Sequence, residues 1–106
     1  IGSVDPANWY TVGTDSNGVT WSIDNDSVKK DDKKAVMDIK AMDYEGYHYI
    51  VTEEFNHKKR EVKDLKVTLY NPQGYVVKEE QVNKDSRKVE PGTPAYAVFQ
   101  LIWGGK

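Results

Sequence analysis

The stretch WYTVGTDSNGVTWSID, residues 9–24, places two runs of aromatic and β-branched residues on either side of Asp15-Ser16-Asn17-Gly18. Aromatic and β-branched residues are enriched in β-strands. Asn and Gly tolerate a positive φ, so the polar residues between the two runs indicate a tight turn. The stretch therefore predicts a β-hairpin and an antiparallel β fold.

Alternating apolar and polar residues predict more strands downstream, because successive side chains of a strand point to opposite faces. In residues 61–70 the apolar Leu65, Val67 and Leu69 alternate with polar residues, which places Asp64 on the polar face. Asn71-Pro72-Gln73-Gly74 has the composition of a β-turn. The predicted strands after the hairpin cover residues 35–44, 47–55, 61–70 and 75–82.

The end of the chain has the pattern of an amphipathic helix. Thr93-Pro94 predicts an N-cap followed by proline at the first helical position. Apolar residues then recur at helical spacing and are expected to face the sheet. Gly104-Gly105 is expected to end the helix. The apolar residues of this pattern are Ala95, Val98, Phe99 and Ile102.

The pattern as a whole predicts an α+β fold, with an antiparallel sheet of about six strands and one C-terminal helix packed on it. The 106 residues are the length of one domain. Within it we expect a loose N-terminal segment (residues 1–8), the sheet (9–82) and the helix (93–103). One helix covers only part of one face. A partner subunit or a ligand could cover the other face, or its apolar residues could be ordinary scattered surface residues. These residues are Val36, Met42, Tyr44 and Ile50.

Composition excludes several classes of function. The chain has no cysteine, which rules out disulfides, thiol catalysis and thiolate metal sites. Its net charge of -2 is unsuited to nucleic acid as the main partner, because such proteins carry a concentrated basic face. No run approaches the roughly 20 apolar residues of a membrane span.

Acidic residues cluster at Asp24-Asn25-Asp26 and Asp31-Asp32, yet they do not make a calcium loop. Val28 stands where a third ligand belongs and Lys29 replaces the glycine. We therefore predict a solvated loop and no metal site.

No catalytic constellation is recognisable, and we predict a non-enzymatic protein without a cofactor. Glu53 and Glu54 are neighbours on a predicted strand, so they point to opposite faces and cannot act on one substrate. We expect one of the two glutamates to be exposed and the other to lie at the end of the strand. His48 and His57 have no serine-nucleophile motif near them.

Lys58-Lys59-Arg60 forms a short basic turn. These three residues are the candidate partner-binding residues, for an acidic protein or a polyanion. The alternative is a loop whose charges only keep the protein soluble.

Several segments, in order, resemble the surface-adhesin protein E-like family of small bacterial envelope proteins. The resemblance covers about residues 9 to 102. Its carriers are Trp9, Val12-Gly13-Thr14-Asp15, Gly18, Trp21-Ser22-Ile23-Asp24, Ser27-Val28-Lys29, Glu54-Phe55, Lys58-Lys59-Arg60, Arg87 and Pro91-Gly92-Thr93.

The chain departs from that family at three places. Family members often carry a cysteine where His57 stands and a second one in the final helix, implied to be paired. This chain has no cysteine near Ile102 or Trp103. Members also often have a tryptophan at the position of Ser86.

The resemblance implies an antiparallel sheet with a C-terminal helix, export to the periplasm, cell surface or exterior, and a signal sequence before Ile1. The family's namesake is an adhesin that binds host matrix proteins and dimerises. Our first hypothesis is therefore an exported binding domain that contacts a host or matrix protein, or a second copy of itself.

The alternative is a small-molecule sensor or carrier, in which a curved sheet and a helix enclose a pocket as in PAS-like domains. For that alternative we expect Tyr47, Tyr49 and Trp21 to line the pocket.

Overall fold

A computed structural model of the chain describes residues 7–82 and 85–104. Most of the predicted loose segment, residues 1–6, lies outside the described residues, as does Gly105. The elements are β1 (Trp9–Thr14), β2 (Thr20–Asp24), a 3₁₀ turn (Asn25–Ser27), β3 (Lys29–Lys30), β4 (Lys34–Met42), β5 (His48–Asn56), β6 (Glu61–Tyr70), β7 (Val76–Gln81), β8 (Arg87–Lys88) and α1 (Pro94–Trp103). In this part of the chain no helix is long and apolar enough to cross a membrane.

The strands form one antiparallel sheet in the order β1-β2-β4-β5-β6-β7. β3 pairs with β4, and β8 pairs with β6. The α+β class is confirmed, but residues 7–82 and 85–104 form eight strands, which is more than the predicted six or so. The two additional strands, β3 and β8, have only two residues each, which is too short for alternation to reveal.

The predicted hairpin is present as β1 and β2. Asp15 organises its turn, since its side chain accepts hydrogen bonds from the backbone N–H groups of Asn17 and Val19. The indole N–H of Trp21 donates to the other carboxylate oxygen at 3.1 Å, and this bond lowers the pKa of Asp15 most. Gly18 takes the left-handed conformation, with φ of 80°.

The core lies between α1 and one face of the sheet. Val98, Phe99 and Ile102 of α1 are buried, and Ala95 packs beside them, as the helical spacing predicts. Thr93 caps the first turn by accepting from the Tyr96 N–H at 3.2 Å. The sheet contributes the following buried apolar residues: Ile23, Ala35, Met37, Ile39, Phe55 and Val62.

A β-bulge changes the faces of β6. Thr52 pairs with Lys66 and Glu53 pairs with Asp64, so Leu65 is the extra residue. The alternation read from the sequence is therefore wrong for Asp64, which lies beside Glu53 on the face that α1 covers. A bulge shifts the alternation by one residue, and nothing in the local pattern marks where it occurs.

Candidate functional site

The basic turn lies between β5 and β6, and Lys58, Lys59 and Arg60 are all exposed. The Asn56 side chain accepts a hydrogen bond from the Lys59 N–H at 2.9 Å. Arg60 adopts a φ of 53°, which is uncommon for a residue with a side chain. Its guanidinium carbon lies 5.4 Å from the centroid of the Phe99 ring. The turn is therefore in contact with the end of β5 through Asn56 and with α1 through Phe99.

Two more cations join the three that the sequence singles out. The Lys88 ammonium group donates to the Lys59 carbonyl at 3.1 Å. The Lys33 carbonyl accepts from the His57 N–H at 2.9 Å. We call the set of Lys33, Lys58, Lys59, Arg60 and Lys88 the basic tip. Sequence reasoning missed Lys33 and Lys88, because only the sheet pairing brings them to the turn.

His57 joins the turn to the C-terminal helix. Its ring stacks on the Trp103 ring at 4.3 Å between centroids and an interplanar angle of 2°. Its Nδ1 lies 2.8 Å from the Asp32 carbonyl, to which it must donate. Where the family resemblance implies a cysteine pair, this chain has a ring stack between the same two elements.

A cleft of about 580 Å³ lies between the sheet and the start of α1. Trp21 lines it, as we expect for the pocket alternative. Tyr47 and Tyr49 are not among its lining residues, so that part of the expectation is wrong; their side chains are 44% and 47% exposed. The other lining residues are Ile39, Val51, Glu53, Asp64, Arg87, Lys88, Glu90, Thr93, Pro94, Ala95 and Val98.

Three charged residues meet at this cleft. Nη2 of Arg87 donates to Oε2 of Glu53 at 2.9 Å, and Nη1 donates to Oδ1 of Asp64 at 3.2 Å. Glu53 is only 7% exposed, so the expectation of an exposed or strand-end glutamate is wrong for it. Glu54 lies on the opposite face with Lys34, at 3.6 Å, which agrees with strand geometry.

The pKa of Glu53 is strongly perturbed. Burial raises its pKa to about 8, and the hydrogen bond and charge of Asp64 add to the effect. Arg87 opposes the rise only in part. A strongly perturbed carboxyl group in a cleft marks a candidate binding site. Sequence reasoning missed this group because the bulge brings Asp64 to Glu53.

The opposite face of the sheet carries a shallower depression of about 420 Å³. Ile50 lines it together with polar residues such as Asp38, Thr52 and Lys66. The Thr52 hydroxyl donates to Asp38 at 2.7 Å. This face is thus more polar than its four apolar residues suggest.

Two acidic residues near the 3₁₀ turn accept hydrogen bonds from backbone N–H groups. The Asp24 carboxylate accepts from the Asn8 and Asp26 N–H groups at 2.9 and 3.0 Å. Asp31 accepts from the N–H groups of Lys33 and Lys34. Within residues 7–82 and 85–104, no group of three or more His, Cys, Asp or Glu side chains could hold a metal ion.

Comparison with known proteins shows to which family the chain belongs. Neither the curated proteins nor the solved structures contain a significant match to this chain. A family model does match: its description is surface-adhesin protein E, and it covers residues 9–102. The match takes in β1 through α1, including the basic tip and the cleft. The chain therefore belongs to the surface-adhesin protein E family.

Proposed function

We propose that this domain is an exported, non-enzymatic binding module that contacts a host or matrix protein through the basic tip. Family membership supports an exported or surface-located adhesin. The observation that carries the choice of surface is the run of three exposed cations in the β5–β6 turn, with Lys33 and Lys88 on segments that hydrogen-bond to it. Lys58, Lys59 and Arg60 enter this proposal as the residues that meet the partner first.

The tip combines charge with a rigid support. Acidic neighbours offset part of this charge, since Glu61 pairs with Lys88 at 3.5 Å and Asp31 interacts with the charge of Lys33. Lys58, Lys59 and Arg60 therefore carry the positive charge of the tip. The stacked rings of His57 and Trp103 lie behind the turn and add apolar surface. Charges at the rim of an interface raise the association rate, while adjacent apolar contacts provide affinity that salt does not screen.

Surface plasmon resonance over immobilised vitronectin and laminin tests the proposal. We expect saturable binding, and we expect Lys58→Ala/Lys59→Ala to bind about tenfold more weakly, a loss of about 1.4 kcal/mol. Lys66→Ala/Lys78→Ala is the matched control: it removes the same charge from β6 and β7 and should bind like the wild type.

Salt separates specific contact from general charge attraction. We expect the slower association at high salt to leave part of the affinity intact. Binding that vanishes with salt, or equal binding to heparin and to both proteins, would reduce the tip to a non-specific cation patch. An unchanged affinity in Lys58→Ala/Lys59→Ala would show that the tip is not the contact surface.

A second copy of the chain is the other protein partner that we propose to test. Among the described residues β7 is an edge strand whose six residues are all exposed, so we expect its outer edge to be open to pairing with another strand. Sedimentation equilibrium should then show a dimer that Val77→Pro abolishes, since proline cannot donate to a strand ladder. A monomer at every concentration would exclude this partner.

A further inference from the structure

The cleft between the sheet and α1 is apolar along most of its wall. Trp21, Ile39 and Val51 line it from the sheet, and Ala95 and Val98 line it from the helix. Ile39 and Val98 are also buried core residues, so the cleft reaches the hydrophobic core. Apolar surface that a ligand buries against such walls favours binding in proportion to its area. A ligand of this cleft therefore needs an apolar body.

The volume of the cleft sets the size of that body. About 580 Å³ lies in the range of pockets that hold small organic molecules. Two other depressions fit such a ligand less well. The one beside β1 measures only about 190 Å³, and the one on the opposite face of the sheet is lined mostly by polar residues.

Much of the polar chemistry in the wall is already used within the protein. The indole N–H of Trp21 donates to Asp15 at 3.1 Å, so Trp21 offers a ligand its apolar ring surface. The Thr93 hydroxyl donates to the Glu90 carbonyl and accepts from the Tyr96 N–H.

Arg87 supplies the hydrogen-bond donor of the cleft. Its bonds to Glu53 and Asp64 use two of the five N–H donors of an arginine. Its side chain is 49% exposed, so a donor can also face a ligand. The two carboxyl groups hold the guanidinium group in place, and a ligand oxygen can then accept from it.

The charges inside the cleft cancel near neutral pH. The Glu53 carboxyl group hydrogen-bonds with Asp64, and its pKa is raised to about 8, so at pH 7 it keeps its proton. The opposite charges of Asp64 and Arg87 then offset each other. Lys88 and Glu90 also line the cleft, but they are opposite in charge and exposed, so solvent screens them. A charged ligand would lose its hydration here without gaining a counter-charge.

We propose that the cleft binds a small uncharged organic molecule, with its apolar body against Trp21, Ala95 and Val98 and an oxygen atom accepting a hydrogen bond from Arg87. The apolar walls provide the affinity, and the neutral charge balance excludes ions. This binding is separate from protein contact at the basic tip and does not rest on it.

Isothermal titration calorimetry at pH 7 with 2-acetylnaphthalene, an uncharged ketone, tests the proposal. We expect saturable 1:1 binding. 2-Naphthoate and 2-naphthylmethylammonium carry the same rings with a negative and a positive charge, and both should bind at least about tenfold more weakly. Naphthalene lacks the oxygen and should bind about fivefold more weakly than the ketone.

NMR titration of the ¹⁵N-labelled domain with the same ketone locates the site. We expect the indole N–H signal of Trp21 and the amide signals of Ala95 and Val98 to shift together and to saturate at the affinity found by calorimetry.

Two alanines of α1 provide a matched pair of variants. Ala95→Phe places a ring in the cleft and should lower the affinity for 2-acetylnaphthalene by about tenfold or more. Ala97→Phe adds the same ring to the same helix at a position that does not line the cleft, and it should bind like the wild type. Thermal unfolding of both variants shows that they are folded before binding is compared.

Four results would overturn the proposal. They are no saturable binding of 2-acetylnaphthalene, binding of either ion as tight as that of the ketone, NMR shifts that leave Trp21 and Ala95 unchanged, and full affinity in folded Ala95→Phe. Binding of naphthalene as tight as that of the ketone would overturn the contact with Arg87. Each of these results leaves the surface plasmon resonance assay of the tip unaffected, because that assay depends on Lys58 and Lys59.

Discussion

The Glu53 carboxyl group lies under α1, where it has lost most of its hydration and faces a second carboxyl group. Its charged form is therefore unfavourable in the folded protein and ordinary in the unfolded chain. Between pH 4.5 and about 8 the unfolded chain releases this proton while the folded protein keeps it. The stability that Glu53 contributes is complete below this window and is lost as the pH rises through it.

We predict that Glu53→Gln removes this loss. The free energy of unfolding of the wild type should fall across the window by on the order of 1 kcal/mol per pH unit, relative to the variant. Urea unfolding at several pH values measures the difference. Glu54→Gln should follow the wild type, and a Glu53→Gln profile parallel to that of the wild type would contradict the account.

Single residues differ in how well the sequence predicts them. The exposure of Lys58 follows from its charge and its place in a turn. Asp64 was assigned to the wrong face, because the bulge at Leu65 that places it beside Glu53 depends on strand pairing. Glu53 and Glu54 lie on opposite faces, as strand geometry predicts, but the burial of Glu53 depends on the distant α1.

Elements with local signals were predicted closely. The hairpin and α1 follow from turn and cap residues, and Gly104 ends the helix in the left-handed conformation as expected. β3 and β8 were missed, because strands of two residues exist only through pairing with β4 and β6. β8 also bears on function, since Arg87 lies in the cleft and Lys88 in the basic tip.

The stack of His57 on Trp103 connects the β5–β6 turn to α1. We predict that His57→Ala lowers the free energy of unfolding by about 1–2 kcal/mol, from the lost ring contacts and the lost hydrogen bond to Asp32. His57→Phe keeps a ring and should recover part of the loss. Thermal unfolding followed by circular dichroism measures both. Equal stability of His57→Ala and the wild type would show that the stack does not hold these elements together.

In the molecule as a whole, the basic tip and the cleft are built from neighbouring elements. The helix and the β5–β6 turn support the basic tip, and the same helix forms one wall of the cleft. The sequence could indicate the basic turn, because three consecutive cations are visible in it. It could not indicate the cleft, whose walls come from five separate parts of the chain.

Contact between the basic tip and a protein partner is the central claim, and NMR chemical-shift mapping tests it most directly. The ¹⁵N-labelled domain would be titrated with the matrix protein that it binds by surface plasmon resonance. We predict that the perturbed amides are those of residues 57–61, together with Lys33 and Lys88, which adjoin the turn. Perturbation centred on β7 or on the open face of the sheet, with the tip unchanged, would contradict the account.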